Sequence, residues 1–515
     1  MVFIRREIRS LGPGWNPTML WYAKGVRALQ ARPFTDKTSW LFLAAMHGFQ
    51  PTVWQTFGAI TATTPLPPAA VRTRFWDQCQ HQSWYFLPWH RGYLFAFEQI
   101  VRAAIVGLGG PADWALPYWN YSNPAIANAR QLPPVFAAAT LPDGTANPLL
   151  VSRRYGRGTV PIVLSNANVA LTAMADAVFT GGASDIPPGF GGPVTTFHHG
   201  PESVTTNGGL ESQPHNVIHG AIGGSRPGAD PNQWQSAGLM SLPITAGLDP
   251  IFWLHHCNID RLWTQWLLMR GHSNTLDARW ARGPADRGFV MPLANGTDWA
   301  FNSIDVIRTT KAPLSYRYDD QPVTSAGLVD LDEGAEIGDE AFQEAAMTAP
   351  PATPELIGAS TGRVEVSGDG QAALTIDAEG GVRVMRSMAA AASLTEGAAP
   401  SDRVYLKLEG IKGTGDATIY HVYVDLPPDA IPAQHPERLA GTVSLFGVSA
   451  ASDPDGPNAG NGVNQVLDIT DIVGGLGLRG DSLQNLAVRF VPDSAQDARA
   501  TFSVDRIGVF RLGGG

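Results

Sequence analysis

Two clusters of histidine, far apart in the chain, constrain this sequence more than any other feature. The first consists of His47, His81 and His90, and the second of His215, His219 and His256. The chain of 515 residues contains only 12 histidines, so chance is a poor account of this clustering. Neutral imidazole is a common ligand of transition metals. The sequence therefore predicts a protein built around a pair of metal sites.

The segments around these histidines have the apolar spacing of helices. The expected helices are residues 40–46 leading into His47, 94–105 following His90, 214–220 around His215 and His219, and 252–269 around His256. His215 and His219 are four positions apart, which puts both on one face of a helix. We therefore expect a mainly α-helical domain around a four-helix bundle that points histidines inward.

The composition of the chain changes in its last third. Residues 334–359 are acidic and then rich in alanine and proline, with little periodicity, which is typical of a linker. Residues 360–515 contain short β-type runs separated by turn residues, which favours a β-sandwich. We expect a metal-binding domain in 1–333, a flexible linker in 334–359 and a C-terminal β-sandwich domain in 360–515.

Charge and composition disfavour several classes of partner. The formal net charge of -10 argues against nucleic acid and anionic membranes, both of which favour basic surfaces. No apolar run approaches the ~20 residues of a membrane span. The pair Arg5 and Arg6 is not followed by the apolar segment of an export signal, so we expect a cytoplasmic protein. A small neutral or cationic substrate fits this composition better.

Three longer motifs carry a resemblance to a known family. They are Phe86–Arg91, His215–His219 and Asp249–Arg261. These motifs resemble the copper-binding signatures of the tyrosinase and polyphenol oxidase family, and the likeness extends roughly from Asp36 to Asp320. The resemblance implies two copper ions, O2 as co-substrate, and oxidation of small phenols to o-quinones, which can feed melanin. Ligand type alone leaves copper, zinc and iron open.

The resemblance also implies roles for individual residues. His47, His81 and His90 hold the first copper, CuA, and His215, His219 and His256 hold the second, CuB. His255 is assigned to a position beside the ligands, and Asn258 and Asp260 are expected to orient imidazoles by hydrogen bonds. Cys79, two residues before His81, stands where fungal relatives form a thioether bond between cysteine and histidine. The alternative for Cys79 is a small buried apolar side chain.

Catalytic residues are also implied by this resemblance. Oxidation of a monophenol requires a base, because the pKa of a phenol is ~10. Glu211 matches the glutamate that holds a water in plant polyphenol oxidases, and Asn216 matches the asparagine that takes the proton together with this water. Finding both favours hydroxylation of monophenols as well as oxidation of o-diphenols. The alternative is a capping glutamate and a surface asparagine. Gly220 and Pro243 add little bulk beside the expected pocket and predict open access.

The C-terminal part resembles the shielding domain of plant-type polyphenol oxidases. The similar segments are Tyr420–Asp425, Leu439–Val443 and Thr501–Phe510. This resemblance implies partial latency, whereas a role only in folding, copper loading or assembly is the alternative. A diphenol-only catechol oxidase and an o-aminophenol oxidase remain competing functions, and an O2 carrier ranks below them. A zinc or iron hydrolase usually has a bridging carboxylate. A homo-oligomer and a copper chaperone remain open as partners.

Overall fold

The computed structural model describes residues 1–198, 206–324, 327–328, 353–392, 402–456, 458–478 and 483–513. The helices are α1 (Pro17–Gln30), α2 (Trp40–His47), α3 (Pro51–Thr56), α4 (Ala69–Phe75), α5 (Phe86–Gly107), α6 (Val217–Gly223), α7 (Pro243–Ala246), α8 (Ile251–Leu267), α9 (Ala278–Arg282), α10 (Ala378–Ala392), α11 (Val448–Ser452) and α12 (Thr470–Leu478). The strands are β1 (Phe3–Arg5), β2 (Phe289–Pro292), β3 (Asp298–Phe301), β4 (Tyr316–Tyr318), β5 (Val323–Thr324), β6 (Gly327–Leu328), β7 (Glu355–Ser360), β8 (Val364–Ser367), β9 (Gly370–Ile376), β10 (Arg403–Gly413), β11 (Ile419–Val424), β12 (Leu439–Ser444), β13 (Val463–Asp468), β14 (Asn485–Pro492) and β15 (Thr501–Leu512).

Helix α5 lies at the centre of the helical part. It is buried on nearly all sides between Phe86 and Ile105, as expected of a helix surrounded by protein. Helices α1 and α8 pack along it, and Trp253 of α8 stacks on Phe97 with ring centroids 3.5 Å apart. Removing an aromatic side chain from such a core costs about 3–5 kcal/mol. This packing fixes the positions from which α5 and α8 present their histidines.

The helical part is not confirmed as a regular four-helix bundle. Helices α2 and α6 contain 8 and 7 residues, and the longer α1, which carries no histidine, packs against α5. Helix α2 begins where the Ser39 hydroxyl accepts a hydrogen bond from the Phe42 amide at 3.1 Å. It ends at Gly48, which leaves no room for a side chain beside Ile244. Caps and close backbone contacts therefore position the histidines as much as long apolar stripes do.

The first strand closes the helical part. β1 pairs in parallel with β4, and this pairing brings Arg5 into the interior. The Arg5 guanidinium donates to Glu98 at 2.8 Å and to Asp260 at 3.2 Å. Breaking a buried ion pair by removing one partner costs about 3–5 kcal/mol, because a charge is left uncompensated. The paired strands at residues 3–5 and 316–318 are therefore held against helix α8 by this buried ion pair.

The C-terminal part forms one sheet of nine strands instead of the predicted β-sandwich. Its order is β12-β11-β14-β9-β7-β15-β10-β13, and β8 pairs with β15. The two edge strands approach each other, since the Gln465 side chain of β13 donates to the Thr442 carbonyl of β12 at 2.9 Å. The sheet is thus nearly closed. Strand patterns in the sequence indicate the strands correctly, but they do not indicate that β15 pairs with three neighbours.

The predicted linker overlaps this sheet at its end. Strand β7 begins at Glu355 and pairs with β15 and β9, so the last residues of 334–359 belong to the C-terminal domain. Residues 334–352 of the predicted linker lie outside the described residues. Among the described residues, no helix combines the length and apolar character needed to cross a membrane.

A buried ion network joins the two parts of the molecule. The Arg157 guanidinium, from the helical part, donates to the Asp493 carboxylate and to the Ala417 carbonyl, each at 2.9 Å, and it also pairs with Asp497. The other Asp493 oxygen lies 2.9 Å from the His421 ring. His421 is therefore largely buried at the domain interface.

Candidate metal centre

The first histidine group gathers side chains from two helices and a loop. His47 is the last residue of α2, His90 lies near the start of α5, and His81 lies in the loop before α5. One ring nitrogen from each of these three residues and the Cys79 sulfur all lie within 4.8 Å of one another. The loop is held by His198, whose Nδ1 lies 2.8 Å from the His81 carbonyl oxygen. His199 lies outside the described residues.

The second histidine group lies entirely on helical segments. His215 belongs to a wider helical turn, Glu211–Asn216, that leads into α6 with His219, while His256 belongs to α8. The His256 Nε2 atom lies 3.3 Å from the His215 Nε2 atom and 3.2 Å from the His219 Nε2 atom. His215 thus precedes the α-helix in which the sequence placed it. Pro214 lacks the amide hydrogen of a regular turn, which accounts for the difference.

Oxygen acceptors fix the tautomer of four imidazoles. The Nδ1 atoms of His47 and His90 face the carbonyls of Pro243 and Phe86 at 2.7 and 2.8 Å. The Nδ1 atoms of His215 and His219 face the Asn216 side-chain oxygen and the Met240 carbonyl, each at 2.8 Å. An oxygen acceptor requires the proton on Nδ1, which leaves the Nε2 lone pair unprotonated. All four rings therefore present Nε2 as a potential metal ligand.

Burial keeps these imidazoles neutral. It lowers the pKa of His90, His215, His219 and His256 well below the ordinary value, and the neighbouring imidazoles lower it further. A metal binds the neutral form of histidine. These four imidazoles therefore need not lose a proton when they take up metal near neutral pH.

The two groups adjoin each other. The ring centroids of His90 and His256 lie 4.6 Å apart, and those of His81 and His215 lie 5.8 Å apart. In the described part of the chain, the donors in both groups are imidazoles and one thiol, without a carboxylate. Such donors suit copper, zinc and iron better than magnesium or calcium. The geometry fits a pair of adjacent metal ions.

The residues expected around the second group have mixed outcomes. His255 lies within that group, and its Nδ1 atom is 3.1 Å from the Tyr121 hydroxyl. The expectation for Asp260 is wrong, since its carboxylate binds Arg5, Arg91 and the hydroxyls of two tyrosines instead of an imidazole. Guanidinium groups are strong partners for a buried carboxylate. The Asn258 side-chain oxygen likewise accepts from Arg261 at 3.4 Å.

Cys79 lies close to two of the predicted ligands. Its sulfur is 3.6 Å from the Nε2 atoms of both His81 and His90. Burial raises the pKa of the Cys79 thiol, and the charge of Glu211 raises it further. The thioether bond between Cys79 and His81 stays a prediction. The second cysteine, Cys257, is buried on α8 with its thiol pKa raised to about 12 by burial, as expected of an inert thiol.

Glu211 connects the two histidine groups. Its carboxylate lies at the start of the turn that carries His215, and it accepts the amide hydrogen of Gln82, next to His81, at 2.9 Å. Burial raises the pKa of Glu211 to about 8. Asn216 is buried as well and accepts from the His215 ring. Both residues are therefore buried next to the second histidine group, and Asn216 does not lie on the surface.

An aromatic side chain from the C-terminal domain covers the centre, and sequence reasoning missed it. Phe446, in the turn between β12 and α11, stacks on His219 with ring centroids 4.3 Å apart and an interplanar angle of 23°. The same ring lies 6.0 Å from His215 and 6.1 Å from His81. Nothing local in the sequence marks this residue, because its partners are more than 200 positions away.

The two expected gate positions face this cover. A side chain at Gly220 would meet the Ser444 hydroxyl at 3.2 Å and Ile419 at 3.3 Å. Pro243 lies against Gly447, where an added Cβ would be 3.1 Å from the proline ring. Space that is open within the helical domain is thus filled by the C-terminal domain.

Comparisons with known proteins agree with this architecture. The common central domain of tyrosinase matches residues 37–269, and a domain of unknown function, DUF7868, matches residues 353–512. Tyrosinase HcTyr1 of Hahella sp. (strain CCB-MM4) is 34% identical over 512 residues, which cover 96% of this chain and 97% of that protein. A chloroplastic polyphenol oxidase of Vitis vinifera is 30% identical over 257 residues, which cover 47% of this chain and 38% of that protein.

Two solved structures share the overall fold. A latent aurone synthase, a polyphenol oxidase, superposes with a TM-score of 0.57 at 16% identity and covers 100% of this chain and 90% of its own. A latent apple tyrosinase also gives a TM-score of 0.57, at 19% identity, over 99% of this chain and 97% of its own. The helical part and the β-rich part therefore occur together in both structures.

The two adjoining histidine groups fit the copper oxidases of the tyrosinase and polyphenol oxidase class, which the similarity to HcTyr1 and the match to the central domain of tyrosinase show. Since the similarity to HcTyr1 spans nearly the full length of both proteins, the chain belongs to the tyrosinase family. The resemblance expected from the three sequence motifs is thereby confirmed.

Proposed function

We propose that this protein oxidises phenols with O2 at a coupled dicopper centre, hydroxylating monophenols and converting o-diphenols to o-quinones. His47, His81 and His90 would hold one copper ion, and His215, His219 and His256 the other. The observation that carries the proposal is the convergence of imidazole nitrogens in two adjacent, largely buried groups, in which burial lowers the pKa of four rings. Bound copper supplies the binding and reduction of O2.

The protein's own residues orient the ligands and handle the proton. Backbone carbonyls and the Asn216 side chain hold the rings at Nδ1, which fixes the direction of each Nε2 lone pair. Burial raises the pKa of the Glu211 carboxyl to about 8, so the group exchanges a proton close to neutral pH, and its proton-accepting form predominates above about pH 8. We assign Glu211, together with Asn216, to the removal of the phenolic proton of a monophenol substrate.

Oxygen uptake with two substrates tests this function. Copper-loaded full-length protein carrying Phe446→Ala is given tyramine in one cell and catechol in another. Uptake with both substrates is expected. Uptake with catechol alone would support the competing catechol oxidase and would overturn the role of Glu211. The competing O2 carrier would also have a shielded centre, as Phe446 shields this one. A carrier would bind O2 reversibly and show no continuing oxygen uptake with either substrate.

We also propose that the C-terminal domain keeps the enzyme partly latent. Phe446 lies over His219, and the ion network around Arg157 holds the domain in place. Two structurally similar proteins are described as latent. The proposal predicts low activity of the full-length chain until the domain is displaced by acid, detergent or proteolysis. Equal activity with and without residues after Ala349 would overturn it.

A further inference from the structure

Two long helices each contribute one histidine to the contact between the two groups. His90, near the start of α5, belongs to the first group, and His256, on α8, belongs to the second. Their rings are stacked, with centroids 4.6 Å apart and an interplanar angle of 14°. The spacing of α5 and α8 therefore helps to set the distance between the two groups, and with it the separation of two metal ions bound there.

An arginine directly after His90 ties these two helices together. The buried Arg91 guanidinium donates to the Asp260 carboxylate, which lies about one helical turn after His256 on α8. It also donates to the Thr264 hydroxyl at 3.3 Å, one turn further along the same helix. A planar guanidinium carries its donors in a fixed fork, so it holds two partners in one geometry. Arg91 therefore grips α8 at two successive turns.

The Asp260 carboxylate is itself held in place by further donors. One of its oxygens accepts from Arg91, and the other accepts from Arg5 at 3.2 Å and from the hydroxyls of Tyr316 and Tyr318. Charge-assisted hydrogen bonds of this kind are strong and fix the geometry of both partners. The contact between α5 and α8 is therefore made by a carboxylate that is fixed at both oxygens.

Aromatic stacking holds the same two helices on the other side of the ligand. Trp253 of α8 has its ring centroid 3.5 Å from that of Phe97 and 4.7 Å from that of Tyr93, both on α5. On α8, His256 thus lies between the aromatic contact at Trp253 and the ion pair at Asp260. Contacts to α5 on both sides of His256 leave the helix little freedom to shift.

We propose that Arg91 and Asp260 are positioning residues that fix the separation of the two copper ions, acting through the helices that carry His90 and His256. This inference rests on the proposed dicopper centre. A misplacement of about 1 Å at a reacting centre can lower a rate by about 100-fold, so a small shift of one helix would matter for a reaction that needs both ions.

Electron paramagnetic resonance (EPR) of copper-loaded, full-length protein reports on this separation. Each Cu²⁺ ion carries one unpaired electron, and two ions held close enough to share a bridging ligand cancel each other's signal. The unmodified protein should hold both ions and give almost no EPR signal. Arg91→Lys should also hold both ions, because every histidine remains, but its EPR signal should appear. A lysine ammonium is a point charge on a flexible stem and does not hold Asp260 and Thr264 in one fixed geometry.

Arg154→Lys is the matched control. Arg154 forms a buried ion pair with Asp249, two residues before α8 begins, and this pair joins the start of α8 to the segment around Leu149 instead of to α5. The control should keep both ions and stay EPR-silent. Signals of equal size in the two variants would indicate general loosening of the fold and would overturn the inference. An Arg91→Lys protein that holds both ions and stays silent would overturn it as well.

Catechol oxidation gives a second measurement, with Phe446→Ala added to each variant so that the substrate reaches the centre. Arg91→Lys should lower kcat about 100-fold and leave KM within a few-fold, because the spacing of the ions affects the reaction more than the binding of catechol. An unchanged kcat would contradict the inference. A Phe446→Ala protein with an EPR-silent copper pair that does not oxidise catechol would overturn the proposed function alone.

A milder variant serves if Arg91→Lys fails to fold. Thr264→Val keeps the ion pair with Asp260 and removes only the second acceptor of the Arg91 guanidinium. Its EPR signal should be smaller than that expected for Arg91→Lys but larger than that of Arg154→Lys. A Thr264→Val protein that is as silent as the control would contradict the inference.

Discussion

The two histidine groups are chemically alike but are built differently. The first takes His81 from a loop, leaves that residue partly exposed and includes the Cys79 sulfur among its neighbours. The second is fully buried on helical segments and is covered by Phe446 from the other domain. The difference teaches that the helical part supplies the side chains of both groups, whereas the C-terminal domain covers the second group more closely than the first.

Removing one ligand from each group should have the largest effect. His90→Ala and His219→Ala should each lower the copper content by half and abolish oxidation of both tyramine and catechol, because the reaction requires both ions. Metal analysis and oxygen uptake check this expectation. The control is His435→Ala, since the His435 side chain is partly exposed, lies far from the histidine groups in sequence and contacts Glu437. Full activity in either ligand variant would contradict the paired centre.

Glu211→Gln should distinguish a catalytic role of Glu211 from a structural role in joining the two histidine groups. As a general base, Glu211 contributes roughly 10²–10⁴-fold to monophenol oxidation. Tyramine oxidation should fall by that factor, while catechol oxidation and copper content should stay within a few-fold. If the Glu211 carboxylate only holds the Gln82 backbone through its hydrogen bond, then tyramine oxidation, catechol oxidation and copper content should all fall together. Oxygen uptake and metal analysis on the same sample distinguish the two results.

Phe446→Ala should expose the second group. Oxidation of catechol by the full-length chain should rise about tenfold or more, since removing a buried aromatic side chain costs about 3–5 kcal/mol and part of this holds the domains together. Ile431→Ala, at an exposed position of the same domain, is the control and should leave the rate unchanged. A rate that does not rise after the substitution would mean that Phe446 does not limit access.

Cys79→Ser should affect the first group and spare the second. If the thioether forms, the peptide that contains Cys79 and His81 is two hydrogens lighter than the unlinked sequence, and the variant lacks this link. Loss of such an orienting contact lowers metal affinity about 10- to 100-fold. Copper titration should therefore show one weakened site and one unchanged site. Equal weakening of both sites would contradict the separation of the groups.

Arg157→Gln should have the smallest effect, which is a shift in the pH at which acid displaces the C-terminal domain and activates the enzyme. Burial raises the pKa of Asp493, but the His421 hydrogen bond and the Arg157 charge outweigh it and hold the pKa below its usual value. Because the pKa of Asp493 is lowered in the closed protein, its charge stabilises the closed form fully at pH values above the ordinary aspartate pKa of about 3.9. This stabilisation is lost as the pH falls through the lowered pKa. In the variant, the C-terminal domain should move away from the metal centre at a higher pH than in the unmodified protein. Lys412→Gln serves as the control. An unchanged activation profile would exclude this network.

The sequence predicted the histidine-bearing segments because their signals are local. Apolar spacing marked α2 and α8, and the observed bounds of Trp40–His47 and Ile251–Leu267 agree closely. The arrangement around Asp260 was predicted wrongly, because its partner Arg5 lies at the other end of the domain and no local pattern connects them. The single curled sheet was missed for a related reason. Alternation identifies a strand but not its neighbours.

Phe446 has a further consequence for kinetics. A ring attached to the same chain competes with dissolved phenols as a tethered ligand, and short flexible tethers give effective concentrations on the order of millimolar. A substrate that binds only the open protein shifts the population towards that form. The tethered ring therefore raises the phenol concentration needed for half-maximal activity, so the protein would respond to an accumulated pool of phenol and little to a trace.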